Sequence, residues 1–448
     1  MLLKKYSILL CIASMVIFSA CKKNTDATST ATTADDKVKD TVVLDSKDIY
    51  LWYNQIPATF NGRSYDDPNK IMEAIRQYSV VTGFTNSVDR WSFGIKKTDW
   101  NNLSSGISDD FGLGVFFFAD GDLRVKSVES QSAAGHAGIH RGWRVKKING
   151  STNITIANSD FIVANVFNST QTSFTFTKPD GNDVDISLTA STYNEQPVYV
   201  DTVYSINASK IGYLVFNSFL GDTTQINSTL QNIFNYFVAQ NVTDVIVDLR
   251  YNGGGFVSLS EKLADYLAPS AANGGLMMKQ QYNDKYTQYN STTYFKKAGS
   301  LNLNHVFFIV TDGTASASEL LINNLKPYMT EKLVGPKATH GKPVGFFPIP
   351  VGDWYIFPVS FKTTNKNNEG SYFNGLPLDN QVADGLDMDW GDIRESCLAS
   401  VIKYITTGTF TVQHNGAETF NKPEIQRSNS ILDAYSFKGA VGKNILAR

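Results

Sequence analysis

The 448-residue sequence predicts a multidomain α/β protein. The length exceeds what one ordinary hydrophobic core organises, so two or three domains are expected. Between residues 211 and 335, short apolar runs alternate with stretches of helical spacing, as in a sheet covered by helices. Ahead of them, between residues 111 and 188, short apolar runs are punctuated by Gly, Asn-Gly and Asp-Gly turns, as in a small β-rich module. A net charge of −2 leaves no basic footprint for nucleic acid. No phosphate loop or dinucleotide fingerprint is present. Five scattered histidines without a Cys or His cluster give no metal-ligand spacing, so neither a metal nor a cofactor is expected.

The elements follow in order. Lys4 and Lys5 precede apolar residues 6–17, and Phe18-Ser19-Ala20-Cys21 closes the segment with small residues. Residues 1–20 therefore read as a secretory signal, too short for a comfortable membrane span. Small residues before a cysteine resemble the bacterial lipoprotein signal. That resemblance implies lipid on Cys21, a membrane anchor, and an exported protein facing the periplasm or displayed on the outer membrane. Residues 21–39, rich in Thr, Ser, Ala, Asp and Lys, read as the lipidated cysteine and a disordered tether. Cys11 leaves with the signal and Cys21 carries lipid, so no intrachain disulfide is expected. Cys397, in an apolar helical pattern, reads as a small core residue. Residues 40–108 are aromatic and helical in pattern (Ile49-Tyr50-Leu51-Trp52-Tyr53, then 71–78, then Asp89-Arg90-Trp91-Ser92-Phe93). They read as a small helical cap without chemistry of its own.

Residues 109–192 form the β-rich module. Phe111-Gly112-Leu113-Gly114 opens it, and Ser132-Ala133-Ala134-Gly135-His136-Ala137-Gly138 supplies a short helix. Residues 143–148 form a strand closed by Asn149-Gly150. This order resembles a PDZ domain, with Phe111, Gly112, Leu113 and Gly114 as its carboxylate-binding loop. The resemblance implies capture of a peptide C-terminus, added as a strand to the sheet edge.

Residues 193–408 carry the α/β core. Residues 211–219 read as a strand, and residues 224–240 as a helix with Leu230, Ile233, Phe234 and Phe237 on one face. Val245-Ile246-Val247-Asp248-Leu249-Arg250 is a buried strand ending in Tyr251-Asn252-Gly253-Gly254-Gly255. Three glycines after such a strand let backbone approach a ligand and aim N–H groups inward. The polar ending Asp248-x-Arg250-x-Asn252 is of the kind that braces a neighbouring loop.

Residues 304–345 hold the candidate chemistry. Apolar residues 306–310 read as a buried strand, Asp312-Gly313 breaks it, and Thr314-Ala315-Ser316-Ala317-Ser318-Glu319 leads into a helical run. A strand, a turn and a helix opening on serine would hold the hydroxyl at a sheet edge beside helix-start amides able to stabilise an oxyanion. Ser316 is the candidate nucleophile. A serine needs a base, and a lysine serves only when desolvation lowers its pKa by roughly three units from about 10.4. Lys342 has Gly341, Pro343, Val344, Phe346 and Phe347 as neighbours and no acid beside it, which fits. Lys326, Lys332 and Lys337 lie in more polar text. His340 offers a serine–histidine alternative, without a flanking acid to fix its tautomer.

Taken together, Asp248-Leu249-Arg250-x-Asn252-Gly253-Gly254-Gly255, Thr314-Ala315-Ser316-Ala317-Ser318-Glu319 and Gly341-Lys342 occur in order, downstream of the PDZ-like module. The chain resembles the C-terminal processing peptidases, the tail-specific serine proteases, over about residues 40–407. Asn374-Gly375-Leu376-Pro377-Leu378-Asp379-Asn380-Gln381-Val382 is similar to a further segment of that family. The aromatic N-terminal region resembles the cap of lipoprotein members from Bacteroides-like bacteria. The resemblance implies a crotonase-like α/β protease core and selects Ser316 over Ser318. It implies Ala317 and either Gly254 or Gly255 as backbone oxyanion donors, and Glu319 as support for the turn. Many relatives carry Asp or Gln on the helix after the nucleophile; Leu325-Lys326-Pro327-Tyr328 has neither, which leaves a Ser316/Lys342 dyad.

The reading is a cell-envelope serine endopeptidase acting on proteins or peptides with accessible C-termini. A catalytically silent peptide-binding lipoprotein is the alternative, and a crotonase-like acyl-transfer enzyme a third. Residues 409–448 are polar and read as a disordered tail.

Overall fold

The computed structural model describes residues 32–303, 305–410, 422–433 and 436–446. The expected signal segment, Cys21 and most of the expected tether lie outside these residues. The tether expectation ends too late, because helix Ala34–Ile49 begins within it. Thr33 and Asp36 cap that helix reciprocally, side chain to backbone N–H in each direction.

A six-stranded sheet forms the core, with spatial order 380–381, 330–335, 305–309, 244–248, 209–216 and 198–206. Its pairs are parallel except at the 198–206 edge, which is antiparallel. The unbroken apolar runs Val245-Ile246-Val247 and Val306-Phe307-Phe308-Ile309 follow from burial on both faces. Helices Thr223–Ala239, Val257–Leu267 and Ala317–Leu325 cover one face through Leu230, Phe234, Leu263 and Leu321. Helix Ser396–Thr407 covers the other with Cys397, Leu398 and Val401. The loops that leave the carboxyl ends of the parallel strands therefore gather along one edge, where sheets of this kind place their sites.

Residues 107–194 fold as a five-stranded antiparallel sheet in sequence order, from Leu113–Ala119 to Asp183–Thr189, beside the pair 107–110 and 191–194. Strand Leu113–Ala119 lies at the sheet's edge. Helix Ser159–Val166 contributes Ile162 and Val166 to the same core.

Two expectations are corrected. The region 40–108 is neither wholly helical nor a separate cap. Strand Phe93–Lys96 pairs with Trp354–Phe357, Phe93 stacks on Phe357 at 4.5 Å between centroids, and one apolar core joins both segments. The aromatic text that suggested a free-standing helical domain packs against a strand 260 residues further on.

Residues 409–448 are also not simply a disordered tail. Helix Pro423–Leu432 buries Ile425 and Leu432 in the core of the β-rich module. Strand Gly439–Val441 pairs in parallel with Gly254–Phe256. A few apolar residues suffice because each meets a preformed surface, so no periodic pattern is needed to mark them.

Candidate active site

Strand His305–Ile309 delivers the chain to a turn held from several sides. Thr314 Oγ1 donates to Leu249 O at 2.7 Å and accepts from Thr311 N at 3.0 Å. Ala315 N and Ser318 Oγ both donate to Asn252 O at 3.0 Å. Ser316 then takes φ 61° and ψ −104°, a left-handed conformation that costs an ordinary residue about 1–3 kcal/mol. The surrounding bonds over-determine it. Ser316 is 1% exposed, and its Oγ has no hydrogen-bond partner among the described residues. Ser318, by contrast, spends its hydroxyl on Asn252.

Glu319 organises both reactive segments. Its Oε2 accepts from Ser316 N and from Lys342 N, each at 2.8 Å. Its Oε1 accepts from Thr339 Oγ1 and Gly341 N, each at 2.6 Å. Burial raises the Glu319 carboxyl's pKa, opposed by these four donors. One carboxylate thus ties the nucleophile turn to the segment bearing Lys342.

Lys342 is 1% exposed, and its Nζ makes no hydrogen bond among the described residues. The Nζ lies 3.7 Å from the centroid of the Phe346 ring and 5.7 Å from that of Trp91. Burial pulls its pKa down to about 7, against the carboxylates of Asp89 and Glu319, which favour the charged form. Asp89 is itself held by Tyr50 Oη at 2.8 Å, Trp91 N at 2.8 Å and Ser92 N at 3.1 Å. Asp89 and Trp91 were missed from sequence as parts of the site, whereas Phe346 stood among the sequence neighbours expected to desolvate Lys342. Asp89-x-x-Ser92 is a local turn signal, but nothing in its spacing connects it to Lys342.

His340 is not placed as a base. Its Nε2 accepts from Trp91 Nε1 at 3.0 Å, and its Nδ1 donates to Asp312 O at 3.1 Å. An indole only donates and a carbonyl only accepts, so the tautomer is fixed and both nitrogens are engaged. Burial lowers its pKa to about 4, which keeps it neutral.

The glycine loop is braced as its polar ending suggested. Arg250 makes a two-pronged pair with Asp248 (Nε to Oδ1 3.0 Å, Nη2 to Oδ2 2.6 Å) and reaches Asp384 at 2.8 Å and Glu395 at 2.9 Å. Asn252 Nδ2 donates to Phe216 O at 2.7 Å. Its Oδ1 accepts from Gly254 N at 2.9 Å. That last bond corrects one expectation: Gly254 N–H is already spent and does not face an oxyanion in this conformation. Gly254, at φ 102°, instead allows close approach, since a Cβ there would lie 2.9 Å from Ala317 N. Ala317 N–H opens its helix, among the amides that lack an intrahelical acceptor. Gly255, at φ 142°, lies against Phe219 within the strand paired to Ala440.

In the loop 111–114, Phe111 points into the module's core. Gly112 N donates to Asp110 Oδ1 at 2.6 Å, so this amide is not free for a carboxylate here. Gly112 and Gly114 line a cavity of about 240 Å³ together with Gly253 and Gly254. The same cavity is lined by Asp110, Glu129 and Glu195; burial pushes the Glu129 carboxyl up to about 7.

An α/β sheet places a strained serine at its strand ends, with a desolvated lysine and a glycine strand alongside. Residues 210–381 match the family model for Peptidase family S41. The chain is 26% identical over 259 residues to an inferred CtpA-like serine protease of Staphylococcus aureus strain COL, covering 57% of this chain and 49% of that protein. It is 25% identical over 301 residues to the corresponding protein of Staphylococcus saprophyticus, covering 66% of this chain and 58% of that one. The chain thus spans about half the length of the curated relatives it matches. A crystal structure of a candidate S41 protease from Bacteroides fragilis shares the fold, with a TM-score of 0.67 at 22% identity over 82% of this chain and 97% of that one. Similarity to peptidase family S41 thus falls on residues 210–381, within the α/β core.

Proposed function

We propose that the protein is a serine endopeptidase of the C-terminal processing type, using Ser316 as nucleophile and Lys342 as base. The observation that carries this is the shared Glu319 carboxylate, which accepts from the main chain of both residues while leaving Ser316 Oγ and Lys342 Nζ unpartnered. A buried hydroxyl and a buried amine without partners are costly; a reaction that moves a proton between them gives a reason to keep both.

In this reading neutral Lys342 takes the Ser316 proton as Oγ attacks a peptide carbonyl. Ala317 N–H and a glycine-loop N–H, freed by a shift of that loop, meet the oxyanion. The lysine ammonium then protonates the leaving amine, and water releases the acyl group with Lys342 again as base. The PDZ-like module holds the C-terminal segment of a protein or peptide substrate near Gly112 and Gly114, whose cavity runs to the glycine loop. Lipid on Cys21 anchors the enzyme at the cell envelope.

The near-complete burial of Ser316 and Lys342 favours a second reading, a silent peptide-binding lipoprotein. Incubation of the soluble body with an unfolded protein decides between them. Cleavage by the parent, lost in both Ser316→Ala and Lys342→Ala, is expected. Equal cleavage by all three overturns the dyad, and no cleavage by any favours the silent reading.

A further inference from the structure

We infer that the segment 436–442 lies in the track a substrate takes past the catalytic residues, so that the chain's own C-terminal region occupies its peptide site. The inference rests on the peptidase reading. Strand Gly439–Val441 is inserted between the glycine strand and the segment that follows Lys342. On the first side, Gly439 N donates to Gly253 O at 2.9 Å, and a Cβ on Gly254 would lie 2.4 Å from Gly439 O and 2.9 Å from Ala317 N. On the second side, Phe346 N donates to Ala440 O at 3.0 Å and Gly442 N to Phe346 O at 2.8 Å. Phe346 is also the ring beneath Lys342 Nζ. The inserted backbone therefore runs from the helix-start amide of Ala317 to the wall of the lysine pocket, bonded on both edges as an extended peptide substrate would be.

The same region covers the expected peptide edge of the β-rich module. Helix Pro423–Leu432 packs against edge strand Leu113–Ala119 and helix Ser159–Val166. Asn429 takes both main-chain groups of Phe117, accepting from its N at 2.8 Å and donating to its O at 2.9 Å, as a neighbouring strand would. Asp433 joins the two locks, accepting from Lys126 at 2.9 Å and from Lys438 at 2.7 Å. Residues 423–433 and 436–442 thus fill a strand edge and the groove by the dyad, where Ser316 and Lys342 are each 1% exposed. A substrate enters when this region is displaced.

The test compares the soluble parent with Asn429→Ala/Asp433→Ala and, separately, Lys438→Ala, which leave the buried apolar residues in place. Circular dichroism verifies folding. A fluorophosphonate probe reports access to Ser316, and cleavage of an unfolded protein reports turnover. Both rates are expected to rise roughly tenfold in the loosened variants, the change produced by about 1.4 kcal/mol less docking. A synthetic peptide of residues 422–442 is expected to suppress them again. Folded variants that label and cleave at the parent's rate overturn the inference and leave the peptidase reading standing. Absence of labelling and cleavage in every variant overturns the peptidase reading, and this inference with it.

Discussion

A lysine with its ordinary pKa of about 10.4 is almost wholly protonated at neutral pH, and so is no base. Enclosure by Phe346 and Trp91 brings Lys342 to about 7. The neutral form is the reactive one, so kcat/KM is expected to rise as pH climbs through about 7 and then level, which a pH–rate profile checks. The same shift is a stability liability: the unfolded chain holds the proton up to about 10.4, the folded chain releases it at about 7. Its cost is complete below the folded value and is relieved as pH rises toward the unfolded one. Lys342→Met is therefore expected to abolish turnover yet stabilise the fold by about 1–4 kcal/mol, more at pH 6 than at pH 9, measured by urea denaturation. Glu319→Gln replaces one acceptor oxygen by a donor, setting it against two of the four groups that Glu319 binds. A loss of activity of about a hundredfold or more is expected in steady-state assays, because about 3 kcal/mol of organised bonding goes with it. Ser316 and Lys342 could be singled out as candidates because small residues around a serine and an acid-free lysine context are local properties. Asp89 and Trp91 were not, because their part in the site exists only after a strand from residues 93–96 has docked.

At the scale of elements, the site depends on how the loop 249–255 is tied to the nucleophile turn. Asn252 makes that connection with its side chain on Phe216 and Gly254 and its carbonyl on Ala315 and Ser318. Asn252→Ala frees Gly254 N–H but unties the loop, so kcat is expected to fall about a hundredfold with little change in KM. Unchanged kcat would show that the loop holds its form without the side chain. The alternating strands and helices of the core were readable because buried parallel strands are continuous apolar runs and the covering helices keep their period. The strand Gly439–Val441 was not readable. Three small or apolar residues in polar text carry no period, and their partner lies some 180 residues earlier in the chain.

For the whole molecule, the β-rich module and the core meet through buried charge. Arg141 of the module reaches Asp384 of the core at 2.6 Å, Lys126 O at 2.7 Å and Tyr251 Oη at 3.1 Å, beside Arg250. Arg141→Leu leaves Asp384 short of one cation in a buried setting, and a destabilisation of about 3–5 kcal/mol is expected in chemical denaturation. An Arg141→Leu/Asp384→Asn pair is expected to lose less, since the abandoned charge goes too. Multidomain order was legible from composition shifts along the chain. The shared cores were not, since a domain boundary read from sequence says nothing of a strand lent across it.

The indole of Trp91 stands 5.7 Å from Lys342 Nζ, donates its N–H to His340, and lies with Phe437 along one cavity wall. A ring so placed is an optical gauge of the site. Gain of a positive charge at Lys342, or departure of Phe437, alters the field and the hydration the excited indole meets. Its emission colour therefore follows both events, and a Trp91→Phe chain supplies the blank against which the other five tryptophans are subtracted.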